Sequence, residues 1–168
     1  LDGRSEDAAA SNGGLLTTDS PVHESSDSYL YNPEDPAVHL IDMSENELEV
    51  PADYAEEEKR SDVLCYTTEC LTEDLTITGD ATAEIFLSSD CEDTDLVVRI
   101  TDVDEDGRSM KLADGVLCVR YRNQFDHPDF MEPGTVYPVK IRTTKVSHTF
   151  LKGHRLRVTI TSSAENFI

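Results

Sequence analysis

The sequence predicts an all-β fold, a two-layer antiparallel β-sandwich, and three observations carry that prediction. After residue 61, apolar and polar residues alternate with a period of two in short runs. Clusters of Gly, Asp and Pro separate those runs as turns. No stretch beyond residue 61 shows the apolar spacing of a long amphipathic helix. At 168 residues the chain has the length of one domain and can bury an adequate core without staples.

Residues 1–60 carry 16 acids and 3 bases, whereas 61–168 carry 19 and 11. The first part has few apolar residues to offset the entropy of ordering, and Pro21, Pro33, Pro36 and Pro51 interrupt it. It is expected to be an acidic, extended connection that wraps the sandwich of residues 61–168. A short helical turn within Glu47–Lys59 is all the helix expected.

The strands follow in order. Ala81, Ala83, Ile85 and Leu87 alternate with Thr82, Glu84, Phe86 and Ser88. A strand ending at Val103 meets another near Met110, with Asp104–Gly107 as the hairpin tip between them. The apolar run Val116–Val119 makes Cys118 a core position and the least accessible thiol. Tyr137, Val139 and Ile141 alternate with Pro138, Lys140 and Arg142. In His154–Thr161, Leu156, Val158 and Ile160 share one face with His154, and Arg155, Arg157, Thr159 and Thr161 share the other. One face is expected in the core and one in water. Turns are placed at 78–80, 104–107, 113–115, 132–134 and 152–153, which makes about seven strands.

Charge and motif exclude several functions. A net charge of −21 repels phosphate backbones and anionic lipid, so neither nucleic acid nor a membrane is an expected partner. No apolar run approaches the roughly 20 residues of a transmembrane helix, and Leu1–Glu6 lacks the order of a signal peptide. The spacings of Cys65, Cys70, Cys91 and Cys118 fit no zinc or redox signature, so reduced thiols and a cytoplasmic setting are expected. None of the eight glycines builds a Gly-x-Ser-x-Gly nucleophile elbow, so the chain is not expected to catalyse by itself. No cofactor is expected.

Asp102–Gly107 copies the opening of a calcium loop, yet its twelfth position is Ala113 where a bidentate Glu is required. With Asp93 and Asp95 nearby, the candidates for oxygen ligation of a cation are Asp93, Asp95, Asp102, Asp104 and Asp106, and a solvated loop is the expectation over a metal site. His154 reads as a hydrogen-bonded strand-entry residue. Lys140, Arg142, Arg155 and Arg157 would form a basic stripe if their strands were neighbours, with cross-strand pairing to carboxylates as the alternative.

Beyond this point a resemblance carries the reading. Arg60–Gly79 resembles the entry to the C-terminal, non-catalytic domain of the Xaa-Pro dipeptidyl-peptidase, cocaine esterase and glutaryl acylase group of serine hydrolases. Ser88–Asp95, Asp106–Arg108, Asp114–Arg122, Glu132–Gly134 and Lys152–Arg157 with Ser162 and Ser163 look like that family's blocks in the family's order. Tyr29–Pro36 resembles the segment leading in, so the likeness spans roughly residues 13–168. Cys70 stands where the family usually has proline, and Cys91 where a small residue is common.

The resemblance implies a galactose-binding-like jelly roll that packs on an α/β-hydrolase catalytic domain and helps to shape its substrate pocket. It implies a parent acting on Xaa-Pro peptides, esters or amides. It also implies that the family's chain continues past this point toward the catalytic domain. Contact is therefore expected near the end of the chain, at His154, Arg155, Arg157, Asn166 and Phe167. A truncated last strand would leave an open edge and invite self-association. The alternative function is a carbohydrate-binding module, against which stand the absence of Trp and an aromatic content of 7%.

Overall fold

A computed structural model describes residues 13–20, 26–40 and 52–165. Among them run nine strands: β1 (Gly13–Leu15), β2 (Leu64–Thr67), β3 (Leu75–Gly79), β4 (Thr82–Leu87), β5 (Asp95–Val103), β6 (Ser109–Cys118), β7 (Tyr137–Arg142), β8 (Val146–Phe150) and β9 (Arg155–Thr161). Among the described residues the only helical pieces are single 3₁₀ turns at Glu57–Lys59 and Val119–Tyr121. The first lies inside the stretch where a helical turn was expected.

The antiparallel pairings are nested: β2 with β9, β3 with β8, β4 with β7 and β5 with β6. A long hairpin folded over on itself in this way is a jelly roll. β5 and β9 also pair, which joins β1-β2-β9-β5-β6 into one sheet facing the separate pairs β3-β8 and β4-β7. Between the layers Leu96 and Val98 of β5 pack on Val139 and Ile141 of β7, with Val119 and Met131 closing one end. Ala83, Ile85 and Leu87 of β4 and Val158 and Ile160 of β9 complete that core. Each such aliphatic side chain contributes about 1.5–3 kcal/mol when fully buried.

The alternation in β4, β7 and β9 is the one the sequence shows. What the structure changes is the fate of the second face of the large sheet. β5 is buried along nearly its whole length on both sides, and Arg157, Thr159 and Thr161 of β9 are buried as well. That face is not in water, because residues 37–39 and 52–62 cover it. Ala37, Val63 and Cys65 form a small apolar cluster beneath that cover. The covering segment also pairs with the edge of β6, through a bridge between Asp53 and Met110 and bonds from Tyr54 N to Ser109 O (2.8 Å) and Lys111 N to Ala52 O (3.2 Å). An exposed strand edge is thereby occupied within the chain.

Three further expectations are corrected. Residues 113–115 are not a turn but the middle of β6, with Gly115 opposite Val98. A glycine stands there because the backbone of β7 crosses it: a Cβ would lie 2.5 Å from Arg142 O. The last strand does not form an open edge either, since β9 is hydrogen-bonded to β2 on one side and β5 on the other, and the sheet edges are β1 and β6. Finally, Cys118 is only half-buried beside Asp95, because the chain enters its 3₁₀ turn there and Val119 takes the core position. The buried thiol is Cys65.

All four cysteines are free, and burial pushes the Cys65 thiol up to about 12, with the Glu58 charge adding to it. Asp95 beside Cys118 holds that thiol at about 11. At pH 8 a maleimide is therefore expected to label exposed Cys70 and Cys91 first, Cys118 more slowly and Cys65 only on unfolding. Because the unfolded Cys65 thiol ionises near its ordinary value and the folded one does not, its contribution to stability is complete below about pH 9 and lost as pH rises toward 12. Peptide mapping by mass spectrometry reads the order, and labelling of Cys65 in the native protein would contradict it.

Candidate functional site: a sealed charged layer and an exposed loop end

Strand alternation places Arg99 and Thr101 of β5, Arg157 of β9 and Asp114 of β6 on the covered face. The covering segment supplies their partners. Arg157 donates through Nη1 to Glu58 Oε2 and through Nε to Thr67 Oγ1 (2.8 Å). Ser109 Oγ and Thr101 Oγ1 lie 2.7 and 3.3 Å from the other Glu58 oxygen. Glu58 and Arg157 are 3% and 6% exposed, so the pair is an internal bond and no ligand reaches it.

A second group gathers on Asp114. Its Oδ2 accepts Lys111 Nζ at 2.8 Å and lies 3.3 Å from His39 Nε2 and 4.0 Å from Arg99 Nε. The Arg99 guanidinium stacks 3.8 Å over the Tyr54 ring, whose hydroxyl accepts Leu40 N. Burial pushes Arg99 below the usual guanidinium range and Tyr54 above the usual phenol range. These groups fasten the covering segment to the sheet. Their residue types are ordinary, and no local signal told Glu58 apart from the other acids of its segment.

Asp102 is the third centre. His148 Nε2 approaches its Oδ2 and His154 Nδ1 its Oδ1, each at 2.8 Å. The carboxylate is buried, and the two imidazoles are mostly covered. This arrangement ties β8 and the entry of β9 to β5. A catalytic triad would need a nucleophile on one imidazole, and among the described residues neither ring hydrogen-bonds to a serine or cysteine.

The remaining cation candidates lie apart. Asp93 pairs with Arg120 (2.8 Å), Asp104 pairs with Arg108 (2.7 Å) and accepts backbone amides of its own turn, and exposed Asp106 lies 3.8 Å from Arg108. Asp95 faces Cys118 across the sheet. Among the described residues no three His, Cys, Asp or Glu side chains are grouped to hold a metal ion. The basic stripe does not form, because Lys140 and Arg142 are on the opposite layer from Arg155 and Arg157. Lys140 pairs cross-strand with Glu84 (3.2 Å) and Arg142 with Asp80.

Of the residues expected at a domain contact, Arg157 is enclosed, Arg155 donates to Thr68 O at 3.1 Å, and His154 is held by Asp102. Asn166 and Phe167 lie outside the described residues. Exposed apolar side chains lie elsewhere, among them Phe86 on β4 and Phe125, Phe130 and Val136 on the loop that joins β6 to β7, beside the loop that joins β4 to β5. Gly134 N bonds Ser89 O, and Met131 N bonds Glu92 O, so the two loops are laced together. Arg122 reinforces the longer loop by stacking 4.4 Å over Tyr137 and bonding Asp129.

Residues 4–168 match the family described as the X-Pro dipeptidyl-peptidase C-terminal non-catalytic domain. The cocaine esterase of Rhodococcus sp. (strain MB1 Bresler) is 41% identical over 153 residues, 90% of this chain and 27% of that protein. Among solved structures, an aminopeptidase from a marine sediment Thaumarchaeota archaeon superposes with a TM-score of 0.74 at 30% identity, over 82% of this chain and 25% of that one. An alpha-amino acid ester hydrolase superposes with a TM-score of 0.66 at 28% identity, over 68% of this chain and 20% of that one. The chain thus spans about a quarter of the length of the relatives it matches.

Proposed function

Since the chain belongs to the family of X-Pro dipeptidyl-peptidase C-terminal non-catalytic domains, we propose that it serves a larger serine hydrolase by packing on the catalytic α/β-hydrolase domain and helping to wall its substrate pocket. The parent's reaction is cleavage of an ester, amide or Xaa-Pro peptide bond, and its setting is the cytoplasm. One observation carries the reading: the polar clusters of the described fold are spent on holding its own layers together, while Phe86 on β4 and Phe125, Phe130 and Val136 on the braced β6–β7 loop stay exposed. A surface of that kind suits a docking module. Against a carbohydrate-binding module, which would use an exposed aromatic platform, stand the absence of Trp and an aromatic content of 7%.

The isolated 168-residue chain is expected to leave Xaa-Pro chromogenic dipeptides and p-nitrophenyl esters at the buffer rate, while the parent turns over at least one of them. Turnover by the isolated chain that a serine-directed phosphonate abolishes would overturn the reading. So would a parent inactive on every ester, amide and Xaa-Pro substrate.

A further inference from the structure

Among the described residues, exposed apolar side chains stand in three places: Leu30, Tyr31 and Leu40 on the segment before residue 41, and one group at each of two opposite ends of the sandwich. Leu75 and Leu151, at the start of β3 and just past β8, form the smaller. At the other end Phe86, Phe125, Phe130 and Val136 are 75, 84, 52 and 60% exposed. Large aromatic rings left in water are the more informative departure, because each forgoes burial that would stabilise the fold.

The frame beneath them is fixed. Phe86 stands on β4 opposite Pro138, and Val136 leads directly into β7. Phe130 lies between Asp129, whose N bonds Arg120 O at 2.7 Å, and Met131, whose side chain is in the core. The rings are therefore presented by backbone that is already ordered, which lowers the entropy lost on binding.

The charges around them have one sign. Asp90, Glu92 and Glu132 are exposed and make no ion pair with a described residue. The two arginines of this end are committed, Arg120 to Asp93 and Arg122 to Asp129, and His127 lies 3.7 Å from Asp126. A second copy of the same face would bring these carboxylates against each other, which disfavours a symmetric dimer. An apolar patch rimmed by lysine or arginine would meet it with complementary charge.

Resting on the docking reading above, we propose that this end of the sandwich is the face that seats against the hydrolase domain of the parent chain. Phe86, Phe130 and Val136 pack on apolar residues there, and Asp90, Glu92 and Glu132 stand opposite basic residues. The charges set orientation, and the apolar groups supply the stabilisation.

Amide hydrogen exchange on the parent hydrolase and on the isolated chain tests this. Peptides covering 86–92 and 125–136 are expected to exchange at least about tenfold more slowly in the parent. Glu92→Lys with Glu132→Lys in the parent is expected to return those peptides toward the isolated-chain rates and leave β5 unchanged. Protection confined to 75–79 and 146–151 would overturn the assignment of this face while leaving docking itself in place. Equal exchange at every peptide would overturn both. Protection that appears in the isolated chain as its concentration rises, and is no greater in the parent, would make the face a contact between copies and overturn the hydrolase domain as its occupant.

Discussion

Glu58→Ala is expected to cost about 3–5 kcal/mol of folding stability, because it removes one partner of a buried ion pair and leaves the Arg157 guanidinium enclosed without a counter-charge. The loss goes beyond the pair. Ser109 Oγ and Thr101 Oγ1 each lose an acceptor in a region closed to water. The covering segment would lose this attachment and keep those at Asp114 and along the edge of β6. Urea denaturation followed by fluorescence or circular dichroism measures the change. Replacing the pair together, Glu58→Leu with Arg157→Met, is expected to cost less than Glu58→Ala alone, since no charge is then left buried. A single-variant loss within about 1 kcal/mol would mean that Arg157 finds another partner or reaches water.

Gly115→Ala is expected to be the next most damaging change, with a loss of at least about 2 kcal/mol from overpacking. The added methyl would lie 2.5 Å from Arg142 O, 2.9 Å from Arg142 C and 3.1 Å from Ile141 Cγ2. Backbone on that side cannot swing away as a flexible side chain can. Moving it would disturb the bond from Thr144 N to Asp114 O (2.8 Å) and the packing of Ile141 in the core. Gly107→Ala at the hairpin tip is the control. There φ is +84° and the space is open, so the cost is conformational alone, about 1–2 kcal/mol. Equal losses at the two sites would remove the steric account of Gly115.

Much of the fold was legible because a strand's period is a local property. The core faces of β4, β7 and β9 and the tip at Asp104–Gly107 follow from neighbours two residues apart and from turn chemistry. Cys118 shows the limit of that rule: it sits in an apolar run, but a 3₁₀ turn begins after it and shifts the phase, so Val119 enters the core instead. Gly115 shows another, since glycine between Asp and Val reads as a turn until the crossing β7 backbone is seen.

Alternation, turn residues and motif order are written along the chain, so an acidic β-sandwich without a nucleophile elbow, with the ordered blocks of a non-catalytic hydrolase domain, can be read from it directly. The fate of the second face of the large sheet depends instead on contacts between distant segments. Alternation says that Arg99 and Arg157 point away from the core, and water is then the simplest destination for a guanidinium. Here a segment some hundred residues upstream of Arg157 lies over that face and supplies Glu58, Tyr54 and His39 to meet the charges. Such a partnership depends on where two distant stretches meet in space, and a charge is enclosed only where a counter-charge arrives to offset its lost hydration.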